Sequence, residues 1–187
     1  MRRSLIALTI LLHGATSHAT PENGLHVAVE REGDRYHLSA TLPTTLSECA
    51  AWRYLTDYDA AVQLPGVISS TSHRESDNKV TVKRVADERI LFLHINLRSV
   101  MEFTEFPMTR LTFTQIEGDS KSFHGEWRIE SGTDGSTLHF SGVWEPDTLL
   151  PLFIIDHFAE HDLERRFAEI SRLAEGLKAR HSAGCQP

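Results

Sequence analysis

Along the second half of the chain, apolar and polar residues alternate with a period of two. In KSFHGEWRIES, Phe123, Gly125, Trp127 and Ile129 share one side while His124, Glu126, Arg128 and Glu130 share the other. Leu138, Phe140, Gly142 and Trp144 repeat the pattern in the next segment, and Leu111 with Phe113 carries it in the preceding one. Six strand-like segments follow Gly66: VISSTSHRES, NKVTVKRV, ERILFLHINLRSVMEFTEF, RLTFTQIEG, KSFHGEWRIES and STLHFSGVWEP. Asp77-Asn78, Asp87, Pro107, Gly118-Asp119 and Thr133-Asp134-Gly135 separate them at hairpin intervals. Parallel strands need helical crossovers, for which these intervals leave no room, so the sheet is expected to be antiparallel and a Rossmann fold or parallel barrel is excluded.

Upstream, LHVAVE and YHLSATL flank Gly33-Asp34 and read as a strand pair. SECAAWRYLTDY then spaces Cys49, Trp52 and Leu55 helically behind a capping Ser47, and DYDAAVQ continues as a second short helix stopped by Leu64-Pro65-Gly66. At the far end, Leu163, Phe167, Ile170, Ala174 and Leu177 form one stripe, with Glu164, Arg165, Arg172, Glu175 and Lys178 off it. A long amphipathic helix is therefore expected to cover the apolar face of the sheet. Its approach, EPDTLLPLFIIDHF, holds more apolar residues than one stripe accommodates and is expected to touch apolar material on several sides. The tail, 182–187, is expected to fray.

Composition adds boundaries. The 187 residues are 40% hydrophobic and 24% charged, enough for one well-buried domain, placed at 20–181. Arg2 and Arg3 precede the apolar run Leu5 to Leu12, followed by Ser17-His18-Ala19, the pattern of a signal peptide spanning 1–19. Export to a periplasm or to the outside is the expectation. The net charge of -7 becomes more negative after such processing, which disfavours nucleic acid and anionic membrane surfaces as partners. Export permits disulfides, and Cys49 and Cys185 either pair or remain a buried helical thiol and a tail thiol.

The order of elements, with AAWRYLTDYDAAVQLPG, the strands around FHGEWRIES-GTDGSTLHFSGVWEP and the following LLPLF, resembles the START-like helix-grip (SRPBCC) superfamily, within it the polyketide-cyclase and coenzyme-Q-binding branch. The resemblance spans roughly Leu25 to Leu177 and implies an α+β fold, a curved antiparallel sheet wrapped around a long C-terminal helix. It further implies a cavity between sheet and helix that holds lipids, quinones, sterols or polyketides. Aromatic residues suit the walls of such a pocket. The candidate ligand-binding residues are Tyr58, Leu64, Pro65, Phe92, Phe103, Phe113, Trp127, Phe140, Trp144, Phe153 and Phe158, though the same pattern describes a dry core. On this reading the protein is a monomeric, cofactor-independent binder of a hydrophobic small molecule such as a lipid or quinone, making transient membrane contact at most. Its gate lies near Leu64 to Gly66 or at the start of the last helix.

Chemistry is sparse. His157-Phe158-Ala159-Glu160-His161 matches the inverted zinc-protease signature HxxEH, but only 26 residues follow, without the downstream acidic ligand, and helical rotation places both histidines away from the Leu163 stripe. A zinc hydrolase is thus a remote alternative, and no metal is assigned. His124 and His139 fall opposite the aromatic face, whereas His94 is expected to be partly buried, with Arg98 and Glu102 on its parity, in a long segment expected to contain a bend. Serine-nucleophile motifs, phosphate loops and calcium loops are missing. A cyclase or dehydratase using the same cavity is the alternative function, and no catalytic residue is assigned.

Overall fold

A computed structural model describes residues 24–90 and 93–185. The proposed signal peptide, Phe92 and the last two residues lie outside this range. Eight strands form one antiparallel sheet: β1 (His26–Glu32), β2 (Arg35–Thr44), β3 (Val67–Arg74), β4 (Lys79–Ile90), β5 (Leu93–Phe106), β6 (Arg110–Gly118), β7 (Ser120–Ser131) and β8 (Ser136–Pro146). Their order across the sheet is β1-β2-β8-β7-β6-β5-β4-β3. Between β2 and β3 lie α1 (Glu48–Thr56) and a 3-10 helix (Tyr58–Gln63); α2 (Leu152–Gly176) and α3 (Lys178–Ser182) end the chain.

Local chemistry explains these elements. Gly33 adopts φ 61° in the β1–β2 reversal, and the Ser47 hydroxyl accepts the Ala50 N–H at 3.3 Å to cap α1. Gly125 faces Gly142 across β7 and β8, where a Cβ on Gly125 would run into the Ser141 carbonyl oxygen and the Phe113 ring. The bare pair lets the aromatic rings behind it approach the strands closely. Leu42, Leu46, Ala50, Ala51, Val82 and Leu138 are fully buried on the concave side, and Ile155, Phe167 and Ala174 of α2 pack into it.

Four expectations change. The segment from Glu88 to Phe106 is two strands, because Ile90 pairs with Leu93 and Asp87, expected at a turn, pairs with Asn96 inside β4. The bend expected in this segment is a full reversal, whose place the apolar run Ile90 to Leu93, without Gly, Pro or Asn, does not mark. His94 is exposed beside Asp87, its Nδ1 3.0 Å from the carboxylate, instead of partly buried. The approach to the last helix is itself helical from Leu152, so its apolar residues divide between faces: Ile155, Phe158 and Ala159 are buried, whereas Leu149, Leu152 and Phe153 face solvent. The expected fraying segment is tied down as far as Cys185, which is disulfide-bonded to Cys49 across a Cα separation of 5.8 Å.

Candidate functional site

Between the concave sheet and α2 lies a cavity of about 280 Å³. Its walls are aromatic and contiguous. Ring centroids are 5.8 Å apart for Phe103 and Phe113, 5.9 Å for the stacked Phe113 and Phe140, 4.9 Å for Phe140 and Trp127, and 5.1 Å for Phe140 and Phe167. Trp144 and Phe158 extend this wall, with their centroids 6.4 Å apart, and Trp144 donates its indole N–H to Ser120 Oγ at 2.9 Å. These rings serve as core packing on one side and cavity wall on the other, so the choice between filler and wall is not exclusive.

Charged groups enter this apolar space from two directions. β4 presents Val80, Val82, Arg84, Ala86 and Glu88 inward in strict alternation. Opposite, Arg166 sits on the α2 stripe between Leu163 and Ile170 and donates from one guanidinium nitrogen, Nη2, to both carboxylate oxygens of Glu88, at 2.5 and 2.6 Å. Arg84 is different. Among the described residues its one side-chain partner is Ser70 Oγ, 3.4 Å from Nε, and no carboxylate lies within ion-pairing reach. Burial, and next the repulsion from Arg166, push its pKa below the ordinary guanidinium value. It remains partly accessible because its open side faces the cavity. Farther along the lining, the backbone N–H and guanidinium of Arg98 hold the Asp119 carboxyl below the usual carboxylate range; both residues reach solvent.

A smaller chamber of about 140 Å³ adjoins the first, enclosed by α1, the 3-10 helix and the C-terminal half of α2. Arg84, Phe103, Trp127 and Ile170 line both spaces. Tyr58 belongs to this chamber. Its hydroxyl donates to Glu105 at 2.9 Å, Arg74 grips the same carboxylate with two bonds of 2.9 Å, and Ser70 Oγ donates to the Tyr58 carbonyl at 2.7 Å. Burial, then the Glu105 charge, raise the Tyr58 pKa well above the usual phenol range.

The residues singled out from sequence divide accordingly. Phe103, Phe113, Trp127, Phe140, Trp144 and Phe158 line the main cavity; Tyr58 and Leu64 line the smaller chamber together with Phe103 and Trp127. Pro65 is exposed, and Phe153 is 70% exposed on the outer side of α2, so neither borders either space. Phe92 lies outside the described residues. His157 and His161 point outward with ring centroids 4.3 Å apart, and among the described residues no three His, Cys, Asp or Glu side chains converge as a metal site requires. Arg84, Glu88 and Arg166 were not singled out. The signal was present, since Arg84 and Glu88 continue the inward parity of Val80 and Val82, and Arg166 is three residues beyond Leu163 and four before Ile170.

Comparison with known proteins agrees with this geometry. No curated protein matches the sequence. Among solved structures, the chain is similar to a STAR-related lipid transfer protein from Xanthomonas axonopodis, with a TM-score of 0.69 and 13% identity over 83% of this chain and 96% of that one. It is also similar to the Zhui aromatase/cyclase from a Streptomyces species, with a TM-score of 0.66 and 16% identity over 80% and 98%. The di-domain ARO/CYC StfQ of the steffimycin pathway gives a TM-score of 0.65 at 12% identity over 80% of this chain, which spans about half of that protein, 52%. At such identities these likenesses establish the helix-grip fold. A family model described as polyketide cyclase / dehydrase and lipid transport matches residues 46–169, from the residue before the α1 cap to the cavity-facing part of α2. With two thirds of its length inside that match, the chain belongs to the polyketide cyclase/dehydrase and lipid transport family.

Proposed function

We propose that the protein is an exported carrier of a hydrophobic small molecule, and that the molecule has a single chain or a compact ring body ending in an anionic oxygen group. The observation that carries this reading is Arg84, a half-buried cation that has no carboxylate partner among the described residues and faces an aromatic cavity. An unpaired buried charge is unfavourable unless a counter-charge arrives, and a carboxylate or acidic phenol would supply one. Size narrows the class. A volume of 280 Å³ is at the low end for ligand pockets and holds roughly ten methylene-sized groups at ~30 Å³ each, which suits one acyl chain and not a two-chain lipid or a long isoprenoid quinone.

Energetics give the head group a decisive role. Burying about ten methylenes contributes ~8 kcal/mol at ~0.8 each, and association itself costs at least about 4 kcal/mol. Chain burial alone therefore yields weak binding, and contact with Arg84 raises it to a useful level. Export is supported by the Arg2-Arg3 and apolar-run pattern and by the Cys49–Cys185 disulfide, a bond that persists in oxidising compartments. A cyclase or dehydratase reading draws on the same guanidinium, which can stabilise an enolate formed on a bound ketone.

Native mass spectrometry of protein purified from its own compartment, followed by organic extraction, tests the carrier reading. One acidic hydrophobic molecule per chain is expected. A chain isolated empty that also takes up neither dodecanoate nor a hydroxynaphthoic acid in titration overturns it.

A further inference from the structure

We infer that the C-terminal strap from Leu177 to Cys185 is the gate of the smaller chamber, and that the Cys49–Cys185 disulfide is its lock. Among the described residues the strap is fastened along α1 and, through Lys178, which donates to Thr45 Oγ1 at 2.8 Å, to the turn before it. Cys185 is bonded to Cys49 at the start of α1, Arg53 donates to the Ala183 carbonyl, and Arg180 pairs with Asp57 at 3.0 Å. His181, 4% exposed, packs edge-on against Tyr54 and directs its ring nitrogens at the Leu177 carbonyl and the Asp57 carboxylate, at 3.1 and 3.3 Å. Tyr54, Asp57 and Leu177 are themselves walls of the chamber. What fastens the strap thus holds α1 and the end of α2 together over the space that adjoins the main cavity at Arg84 and Trp127.

The lock is a single covalent bond joining residues 136 apart, and both cysteines are only part-buried. A dithiol reductant can reach it by thiol–disulfide exchange. The reductant gives up two electrons and two protons, the S–S bond becomes the Cys49 and Cys185 thiols, and the reductant closes to its own disulfide. The remaining fastenings among the described residues are the Asp57 carboxylate, shared by Arg180 and His181, the Arg53 contact, and the exposed Lys178–Thr45 bond at the strap's start. Reduction therefore frees the strap, while α2 stays seated on the sheet through Ile155, Phe158 and Phe167.

This inference rests on the carrier reading for its purpose but not for its first test. Hydrogen exchange is followed in oxidised protein, in protein reduced with dithiothreitol, in the Cys49→Ser/Cys185→Ser variant, and in Asp57→Asn with its disulfide intact. Reduction is expected to raise exchange at least about tenfold in residues 54–66 and 173–185, leaving β5 to β8 and the first half of α2 protected. Asp57→Asn is expected to raise it in the same segments by a smaller factor. Unchanged exchange there, or equal loss of protection throughout the molecule, overturns the gate. The second readout is dissociation of anilinonaphthalenesulfonate, a fluorescent hydrophobic anion, expected to quicken about tenfold on reduction. A strap that loosens in a protein binding neither this probe nor dodecanoate would leave the gate standing and remove the carrier reading. A bound probe that leaves at one rate in both redox states would do the reverse.

Discussion

Replacing Arg84 by methionine should make the protein more stable and a poorer binder, two effects that a structural arginine would not combine. Methionine is unbranched and apolar, so it can occupy the course of the arginine stem while removing the charge. In the native protein that charge sits on the inward face of β4, disfavoured by burial and by Arg166 and answered, among the described residues, only by Ser70 Oγ at 3.4 Å. Exchanging buried ionic groups for well-packed apolar ones stabilises proteins by about 1–4 kcal/mol, and at ~3 °C per kcal/mol for a domain of this size the melting temperature should rise by roughly 3–12 °C. The ligand loses charge-assisted hydrogen bonds of about 1.5–3 kcal/mol, which weakens dodecanoate binding about 10- to 150-fold. Dodecanol, with the same chain and no charge, should change little. Calorimetric melting and titration with the two ligands separate the effects. A variant destabilised by more than about 1 kcal/mol would make Arg84 a strut for Ser70 and Tyr58, and a folded variant with undiminished dodecanoate affinity would place the head group elsewhere. Either result refutes the reasoning.

Two other outcomes are expected. Phe140→Ala removes a ring in contact with Phe113, Trp127 and Phe167, and should lower unfolding free energy by about 3–5 kcal/mol in denaturant titration while shifting ligand preference toward bulkier bodies. An unchanged preference in the folded variant would count against Phe140 as a wall. All three tyrosines, Tyr36, Tyr54 and Tyr58, have pKa values raised above the ordinary 10.0, chiefly by burial, so phenolate absorbance should stay absent in folded protein as pH passes 10. Folded values above unfolded ones mean stability that is complete below pH 10 and lost as pH rises beyond it, with a slope approaching about 4 kcal/mol per pH unit for three groups. A phenolate signal titrating near pH 10 without unfolding would contradict the burial of at least one ring.

Much of the fold was legible because half-buried strands write their orientation into every second residue. β6 and β8 fall on the expected segments, Ser47 caps α1, and the stripe from Leu163 to Ala174 lies on α2, with Leu177 at its C-cap. The place of the β4–β5 reversal was not legible, since the segment from Ile90 to Leu97 is mainly apolar on both sides of it. Phe153 was misplaced because an apolar run about to become a helix looks the same whether its residues end inward or outward. The charged centre of the site was overlooked for another reason. Arginine and glutamate on a strand usually mark the solvent face, and only the parity set by Val80 and Val82 turns Arg84 and Glu88 inward.

Placing a charge there violates the rule that otherwise organises the chain, and such violations mark sites where structure serves something besides stability. Arg84 also stands at the junction of the two chambers, so an acid held by it has its chain in the larger space and its head beside the smaller one. Opening the strap would admit water to the head first. Hydrogen bonds to an ionised group weaken as the surrounding dielectric rises, whereas apolar contacts deep in the larger cavity are not altered by that change. Reduction of Cys49–Cys185 should accordingly weaken dodecanoate more than dodecanol, and this difference should vanish in Arg84→Met. Equal weakening of both ligands in native and variant protein would mean that the strap governs the cavity as a whole and that its effect does not pass through the head group.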